Sequence, residues 1–233
     1  MKRYLLSFVI LIVPLIAVSQ VDYGLKAGSA FSWYRSSTAG ELMMEYESRT
    51  GVQAGVFAEA RLNAWFSLQP ELLFSSRGAK SELNMTVPVP TSTGYTNVKV
   101  TLKSTIAPLY LDVPVYLKAG FPSVGSDRFT VGVGPVFSYG LGGNAKIKVT
   151  AGKESFTEEV KLFSGDGFDL GEIHQDFRIL ERLDVAAAGF AAYEFSKKII
   201  LSLNYQYGLK NISEDPEEEL RNRSVSVTLG YKF

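Results

Sequence analysis

Charged residues of both signs recur at alternating positions within otherwise apolar stretches of this sequence. At that spacing they share one face of an extended chain, because successive side chains of a β-strand point to opposite faces. Acids and bases on a shared face can neutralise one another as a buried ionic cluster, or they can line a polar path for ions. The residues at these positions are Lys26, Glu59, Arg61, Glu71, Asp112, Lys118, Asp184 and Glu194, with Arg77 and Lys210 as further members.

The residue types that most catalytic and metal sites need are scarce. The chain has no cysteine among its 233 residues, which excludes disulfides, thiol catalysis and cysteine-ligated zinc. Its one histidine, His174, cannot build a multi-histidine metal site and is expected to be a solvated loop residue. Basic and acidic residues are equal in number, 24 each, so no nucleic-acid partner is predicted. The sequence therefore predicts no catalytic residues, no cofactor and no metal ion.

Residues 1–19 have the features of a cleaved export signal. Lys2 and Arg3 precede an apolar run, and the small residues Ala17 and Ser19 stand two apart before Gln20. The run is shorter than the roughly 20 residues that a membrane-spanning helix needs, although a transmembrane anchor is the alternative. We predict cleavage before Gln20, which leaves residues 20–233 as a single domain.

The remainder of the chain alternates between apolar and polar residues with a period of two. Such alternation indicates β-strands with one apolar and one polar face, and no helical period competes with it over a long window. We therefore predict an all-β protein. The eight alternating segments are residues 23–33, 52–59, 66–75, 109–118, 129–139, 183–195, 201–209 and 224–233.

The lengths of the connections between these segments predict their topology. Long and short connections alternate strictly, so all the long ones fall at one end of an up-and-down antiparallel meander. Outer-membrane barrels have this asymmetry, with an even number of strands, short periplasmic turns and long extracellular loops. Each segment also has about the length that a tilted strand needs to cross a bilayer.

The position of the aromatic residues favours a membrane over water around this barrel. Aromatic side chains cluster at segment ends, as in the interfacial girdles of membrane barrels, and the polar face is rich in the small residues that fit inside a narrow barrel. We predict an eight-stranded transmembrane β-barrel with the charged set inside, where it forms a self-neutralising plug or, alternatively, a conduction path. A soluble barrel with the apolar face inside is the other alternative.

Two further features bear on the strands. Pro70, Pro114 and Pro135 fall inside predicted strands, where proline interrupts the hydrogen-bond ladder, so we expect bulges or gaps there.

The alternation also continues through residues 98–102 and 147–149, beyond the predicted membrane segments. This predicts hairpins that project from the membrane and turn near residues 91–94 and 151–154.

Several stretches that cover most of the chain outside the long loops resemble a known family. They are GVQAGVFAEARLNAWFSLQPELLFSSRGAK at residues 51–80, LYLDVPVYLKAG at 109–120, VGVGPVFSYGLGG at 131–143, LSLNYQYGLKNIS at 201–213 and RNRSVSVTLGYKF at 221–233. They are similar to the outer-membrane β-barrel domain family common in Bacteroidota, the PorT-like group. The resemblance implies an eight-stranded barrel that tolerates strand prolines and has no catalytic residues. It also implies a link to protein secretion, through the namesake of the group.

These observations together lead us to expect a non-enzymatic protein of the bacterial outer membrane with a structural or interaction role. The expected partners are outer-membrane lipid, lipopolysaccharide and proteins of the cell envelope or secretion machinery. The acidic run at residues 214–219 is expected to be solvated, with a cation bridge to lipopolysaccharide as the alternative. The other possible functions are a narrow channel, a conduit for a hydrophobic ligand and an enzyme that acts on lipid A.

Overall fold

The structure is a computed structural model that describes residues 21–38, 46–91, 94–122, 125–152, 154–163, 168–169, 174–175, 180–213 and 218–233. The predicted export signal at residues 1–19 lies outside these ranges. Within them, no helix has the length and hydropathy required to cross a membrane.

The described part of the chain contains twelve strands. Several of them run well past the length of a single membrane crossing, and the longest has 29 residues. In chain order they are β1 (Val21–Thr38), β2 (Tyr46–Arg61), β3 (Phe66–Ser76), β4 (Ala79–Thr91), β5 (Gly94–Pro122), β6 (Arg128–Ala151), β7 (Glu154–Lys161), β8 (Phe168–Asp169), β9 (His174–Gln175), β10 (Leu183–Phe195), β11 (Ile199–Gly208) and β12 (Glu218–Lys232).

Eight of these strands close into an antiparallel ring, in the order β1, β2, β3, β5, β6, β10, β11, β12. The ring closes where β12 pairs with β1, from Gly24 opposite Lys232 up to Thr38 opposite Glu218. A closed ring leaves no strand edge in the barrel wall, which a bilayer requires because lipid offers no hydrogen bonds to the backbone. The predicted eight-stranded up-and-down barrel is confirmed, and each alternating segment lies in one strand of the ring.

The apolar face of each ring strand points away from the barrel axis. Along β6, for example, Phe129, Val133 and Phe137 are exposed, whereas Thr130 and Ser138 are buried inside the barrel. A soluble barrel would have the opposite arrangement, so that alternative is wrong. From Phe129 to Tyr139, the outward apolar row of β6 spans eleven residues, or about 25 Å along the membrane normal for a strand tilted by roughly 40°. This height matches the apolar band of an outer-membrane barrel.

Each of the three strand prolines lies in a two-residue gap of the ladder. The gaps fall between β2 and β3, between β3 and β5, and between β5 and β6, and they contain Pro70, Pro114 and Pro135 respectively. The strand register is the same on both sides of every gap, so the prolines interrupt pairing without shifting the strands. The expected ladder gaps are confirmed.

Above the end of the barrel that carries the long connections, β4, β5, β6 and β7 continue as a four-stranded sheet. Its two hairpins turn between Thr91 and Gly94 and between Ala151 and Glu154, as predicted. This end is extracellular in outer-membrane barrels. We call these four strands, above Leu109 of β5, the extracellular sheet.

The apolar face of the extracellular sheet points toward the barrel axis, in contrast to the apolar face of the barrel. In the pairing of β5 with β6, β6 has one extra residue opposite Leu109 and Tyr110. This shifts the register by one residue, so odd-numbered residues of β6 point outward below the shift and inward above it. Tyr139 is therefore exposed to the membrane side, whereas Ala145 is buried over the barrel mouth.

Candidate functional site

The barrel lumen contains most of the predicted charged set, arranged in layers. The layer nearest the periplasmic end consists of Glu59, Lys118, Glu194 and Lys232, all of them buried. These residues come from β2, β5, β10 and β12, which are every second strand of the ring, so acid and base alternate around the barrel axis. We call them the charged layer.

The ion pairs within the charged layer connect all four of its members. Lys118 Nζ donates to Glu59 Oε2 at 3.0 Å and also to Glu194 Oε1. Lys232 Nζ donates to the same Glu59 oxygen and lies 3.4 Å from Glu194 Oε2. Two acids and two bases share the layer, so it is neutral as a unit although every member is buried.

A second buried ion pair lies farther from the periplasmic end. Lys26 Nζ of β1 donates to both carboxylate oxygens of Glu71, at 2.9 and 2.8 Å, and the Gln69 amide donates to the same carboxylate at 2.7 Å. Apolar residues fill the adjoining part of the lumen, where the ring of Tyr116 meets that of Phe190 edge to face at 5.0 Å.

Arg77 is the centre of a third layer, near the extracellular end. Its Nη2 donates to Asp112 Oδ1 at 2.6 Å and to Ser138 Oγ at 2.9 Å, and its guanidinium lies 4.4 Å from the centre of the Tyr110 ring. Asp184 accepts a hydrogen bond of 2.7 Å from the Asn222 amide in the same layer.

An apolar plug closes the extracellular mouth above Arg77. The chain that follows β7 bends back over the barrel. Leu162 N donates a hydrogen bond to Gly143 O at 3.0 Å, and Arg182 Nη2 donates one to the carbonyl oxygen of Phe163 at 2.8 Å. The residues of this apolar plug are all buried. They are Tyr34, Ala79, Tyr110, Ala145, Leu162, Phe163, Leu180, Ile212 and Leu220.

The structure does not bring the whole predicted set together. Lys26, Glu59, Glu71, Asp112, Lys118, Asp184 and Glu194 lie in the lumen, as does Arg77. Arg61 does not: its side chain is exposed at the periplasmic rim and pairs with Asp22 at 2.6 Å. Arg61 ends β2 and meets the first strand at the rim, so alternation alone could not show that it lies beyond the enclosed lumen.

Two further placements correct the charged set. Lys210 follows β11 at the extracellular end and pairs there with Glu181, outside the lumen. Lys232 of the charged layer was absent from the predicted set, although it alternates with the outward residues Tyr231 and Phe233. Its phase within the last strand was the signal that could have identified it.

Among the described residues, the packing of the lumen leaves little space for ions. Two lumenal cavities have volumes of about 10 and 20 Å³, the first beside Lys118 and the second beside Asp112. A cavity of this size holds about one water molecule. The charged layer and the apolar plug therefore stand as two barriers in series across the barrel.

We expect the purified full-length protein to show no discrete openings in a planar lipid bilayer. The Leu162→Ser/Phe163→Ser variant should remain silent as well, because the charged layer still fills the lumen below the opened plug. Single-channel recording at several voltages measures this, with a mock preparation that lacks the protein as the control. Discrete, reproducible openings of the wild-type protein would contradict the two-barrier structure.

Other predicted features lie partly outside the described residues. The backbone of His174 is paired with Asp169 between β8 and β9, but its side chain is outside the description. Residues 214–217 of the acidic run are outside it too, whereas Glu219 pairs with Arg221. In the described ranges, no group of three acidic or histidine side chains is arranged to hold a metal ion.

Comparison with solved structures finds several outer-membrane proteins of low sequence identity. They include the attachment invasion locus protein Ail of Yersinia pestis, which has 11% identity and a TM-score of 0.37, with 92% of this chain and 99% of that chain covered. Neisserial surface protein A has 11% identity and a TM-score of 0.39 at the same coverage. OprG from Pseudomonas aeruginosa has 9% identity and a TM-score of 0.40, with 92% and 97% covered. No curated protein matches the sequence.

One family model covers most of the chain. The model described as "Outer membrane protein beta-barrel domain" matches residues 16–214. The match covers seven of the eight ring strands, all but β12. It therefore includes every lumenal side chain described above except those on β12. With the closed ring, the outward apolar band and this match, the chain belongs to the outer membrane protein beta-barrel domain family, whose place is the bacterial outer membrane.

Proposed function

We propose that this barrel is a non-enzymatic membrane anchor that presents an extracellular sheet to other components of the cell envelope. The observation that carries the proposal is the contrast between a filled lumen and an extended extracellular sheet. The proposal includes export by a signal at residues 1–19, membership of the PorT-like group and contact with lipopolysaccharide and envelope or secretion proteins.

The filled lumen supports an anchoring role over transport. Conduction needs a continuous polar path, whereas the acids and bases of the charged layer are bonded to one another and the mouth is covered by the apolar plug. An enzymatic site would need a positioned nucleophile or acid–base pair that reaches a substrate. The acids and bases of the charged layer are buried and bonded to one another, which leaves them no substrate to contact.

The extracellular sheet supports the interaction role. Among the described strands, β7 pairs only with β6, and β4 above Ser81 pairs only with β5. Exposed strand edges can accept an added strand from another protein. Large side chains are also exposed on this sheet, including Tyr95 at 79% and Phe156 at 64% of their surface.

Photo-crosslinking in intact cells tests this proposal. A photoreactive phenylalanine derivative would replace Tyr95 or Phe156 on the extracellular sheet, Trp65 in a periplasmic turn, and Val133 in the lipid-facing band as a matched control. We expect the same protein partner to be captured from both extracellular positions and from neither Val133 nor Trp65.

The position at which a partner protein is captured distinguishes an extracellular interaction site from a periplasmic one. Capture at Trp65 alone would assign the interaction to the periplasmic turns and overturn presentation by the extracellular sheet. Capture of no protein at the extracellular positions, with the barrel present and folded at normal abundance, would overturn the interaction role.

A further inference from the structure

The outward face of the extracellular sheet is strongly basic. Side chains on this face alternate with the apolar ones that point toward the barrel axis, and they include six lysines and two glutamates, Glu82 and Glu159. The face, together with Glu47 of β2, which lies opposite Lys80 on the same side, has an excess of three positive charges. We call it the lysine face; its lysines are Lys80, Lys99, Lys103, Lys146, Lys148 and Lys161.

The strand register places like charges directly opposite one another on this face. Lys103 of β5 is the cross-strand partner of Lys148 of β6, and Lys146 is the next outward residue of β6. Directly opposed side chains in an antiparallel pair have Cβ atoms only about 5 Å apart, so like charges there destabilise the sheet. A bound anion between them would convert this repulsion into attraction.

The protein's own carboxylates neutralise only part of the lysine face. Lys103 pairs with Glu82 at 2.8 Å and Lys146 with Glu159 at 3.2 Å, and all four side chains in these pairs are more than 40% exposed. The pKa of the Glu82 carboxyl is lowered, first by the hydrogen bond from Lys103 and then by that from Asn84. Lys80 and Lys148 have no carboxylate within ion-pair distance in the described part of the chain.

The lysine face lies just above the apolar band, on the side that points away from the barrel. Lys146 follows the last outward aromatic residue of β6, Tyr139, by seven residues, which corresponds to a height of roughly 15 Å along a tilted strand. A lysine side chain can reach several ångströms farther toward the membrane by extending along the protein surface. The ammonium group of Lys146 is therefore at the level of the headgroups of the outer leaflet, and Lys103 and Lys148 lie one outward row, roughly 5 Å, above it.

We propose that the lysine face binds the phosphate groups of an anionic glycolipid of the outer leaflet, of which lipopolysaccharide is the abundant type, with Lys103 and Lys148 holding a phosphate between them. This proposal rests on the proposed function and deepens it, because it takes from it the extracellular position of the sheet and the contact with lipopolysaccharide. Phosphate is the shared chemistry of a lipid headgroup and free inorganic phosphate. The outward direction of the face, beside the membrane, favours the lipid.

A binding measurement on the full-length protein tests the proposal. The protein would be reconstituted in phosphatidylcholine bilayer discs and titrated with lipopolysaccharide or with the same lipopolysaccharide after enzymatic removal of its phosphates. Each lysine near an anionic lipid surface contributes a factor of about five in affinity. We expect Lys103→Gln/Lys148→Gln to weaken binding of the phosphorylated form about twentyfold and to leave binding of the dephosphorylated form unchanged.

The matched control is Lys197→Gln/Lys198→Gln, which removes two exposed lysines from the turn between β10 and β11 at the opposite end of the barrel. We expect it to bind like the wild type. Should Lys103→Gln/Lys148→Gln fail to fold, as judged by heat-dependent electrophoretic migration, Lys80→Gln/Lys146→Gln on the adjacent outward row replaces it.

Two results would overturn the proposal. The first is equal affinity of the wild type and the lysine-face variant for phosphorylated lipopolysaccharide. The second is displacement of the lipopolysaccharide by an equimolar amount of inorganic phosphate, which would assign the face to the free anion. Neither result would affect the photo-crosslinking outcome, because that experiment scores protein partners in cells.

Discussion

Replacement of Lys118 by methionine should destabilise the folded barrel by about 3–5 kcal/mol, the cost of removing one partner from a buried ion pair. Lys118 connects Glu59 and Glu194, and all three side chains are at most 1% exposed. In the variant, Lys232 remains as the single base for two buried carboxylates. The free energy of unfolding, measured by urea titration in lipid vesicles with heat-dependent migration as the readout of folding, gives this difference.

A double substitution tests whether the loss comes from charge imbalance. Lys118→Met/Glu194→Met removes one acid and one base, and it leaves Glu59 paired with Lys232. We expect the double variant to be more stable than Lys118→Met alone, since the remaining pair is neutral. If the two substitutions prove additive, the charged layer is not the coupled unit that the structure indicates.

Arg61→Met is the matched control for the lysine substitution. Arg61 also forms an ion pair, with Asp22, but its side chain is 43% exposed at the rim. An exposed pair contributes about 0–1 kcal/mol, so we expect a small change in the free energy of unfolding. A loss as large as that of Lys118→Met would mean that burial does not govern the energetics of these pairs.

Substitution of Gly28 by alanine should cost about 3 kcal/mol or more, because the new methyl group would collide with backbone on the neighbouring strand. A Cβ atom at Gly28 would lie 2.0 Å from the carbonyl oxygen of Val227 and 2.6 Å from Cα of Thr228. These residues belong to β12, so the clash separates the two strands that close the barrel. The same urea titration measures the effect, together with the fraction of protein that folds into vesicles.

Gly189→Ala provides the control within the barrel wall. Gly189 is also in the middle of a ring strand, β10, but the nearest atom to its added Cβ is 3.4 Å away. That contact is ordinary, and alanine also restricts the unfolded chain more than glycine does, so we expect little change or a small gain in stability. Equal losses for Gly28→Ala and Gly189→Ala would contradict the close approach of β1 and β12.

The filled lumen follows from the small number of strands. An eight-stranded barrel is only wide enough for its own side chains, so any charge that points inward must find a partner there or remain buried without one. The alternate placement of Glu59, Lys118, Glu194 and Lys232 around the ring satisfies this requirement within one layer. The apolar plug then removes water from above.

Strand identity, barrel closure and the outward apolar face were all predictable from the sequence. The period of two in residues 129–139 and 183–195 specifies which side chains share a face, because the pleat of a strand allows no other arrangement. The hairpin turns at residues 91–94 and 151–154 were predictable for the same reason. The prolines also indicated where the ladder would be interrupted.

The partners of the charged residues could not be read from the sequence. Alternation assigns a residue to a face but says nothing of its height in the barrel, so Arg61 at the rim and Lys118 in the lumen carried the same signal. The pairing of Lys26 with Glu71 joins β1 to β3, which are not hydrogen-bonded neighbours in the ring. Such contacts depend on the stagger of all eight strands around the closed barrel.

By itself, the sequence of this protein determined an eight-stranded up-and-down ring, because local alternation and connection length are properties of single strands and adjacent pairs, and its aromatic positions favoured an outward apolar face. Only the tertiary structure decided that the lumen is filled by paired charges, that Leu162 and Phe163 cover the mouth, and that Lys103 faces Lys148. The physical reason is the same in each case. The stagger of the strands around the closed ring and the one-residue register shift between β5 and β6 set the height and direction of these side chains, and neither follows from local alternation.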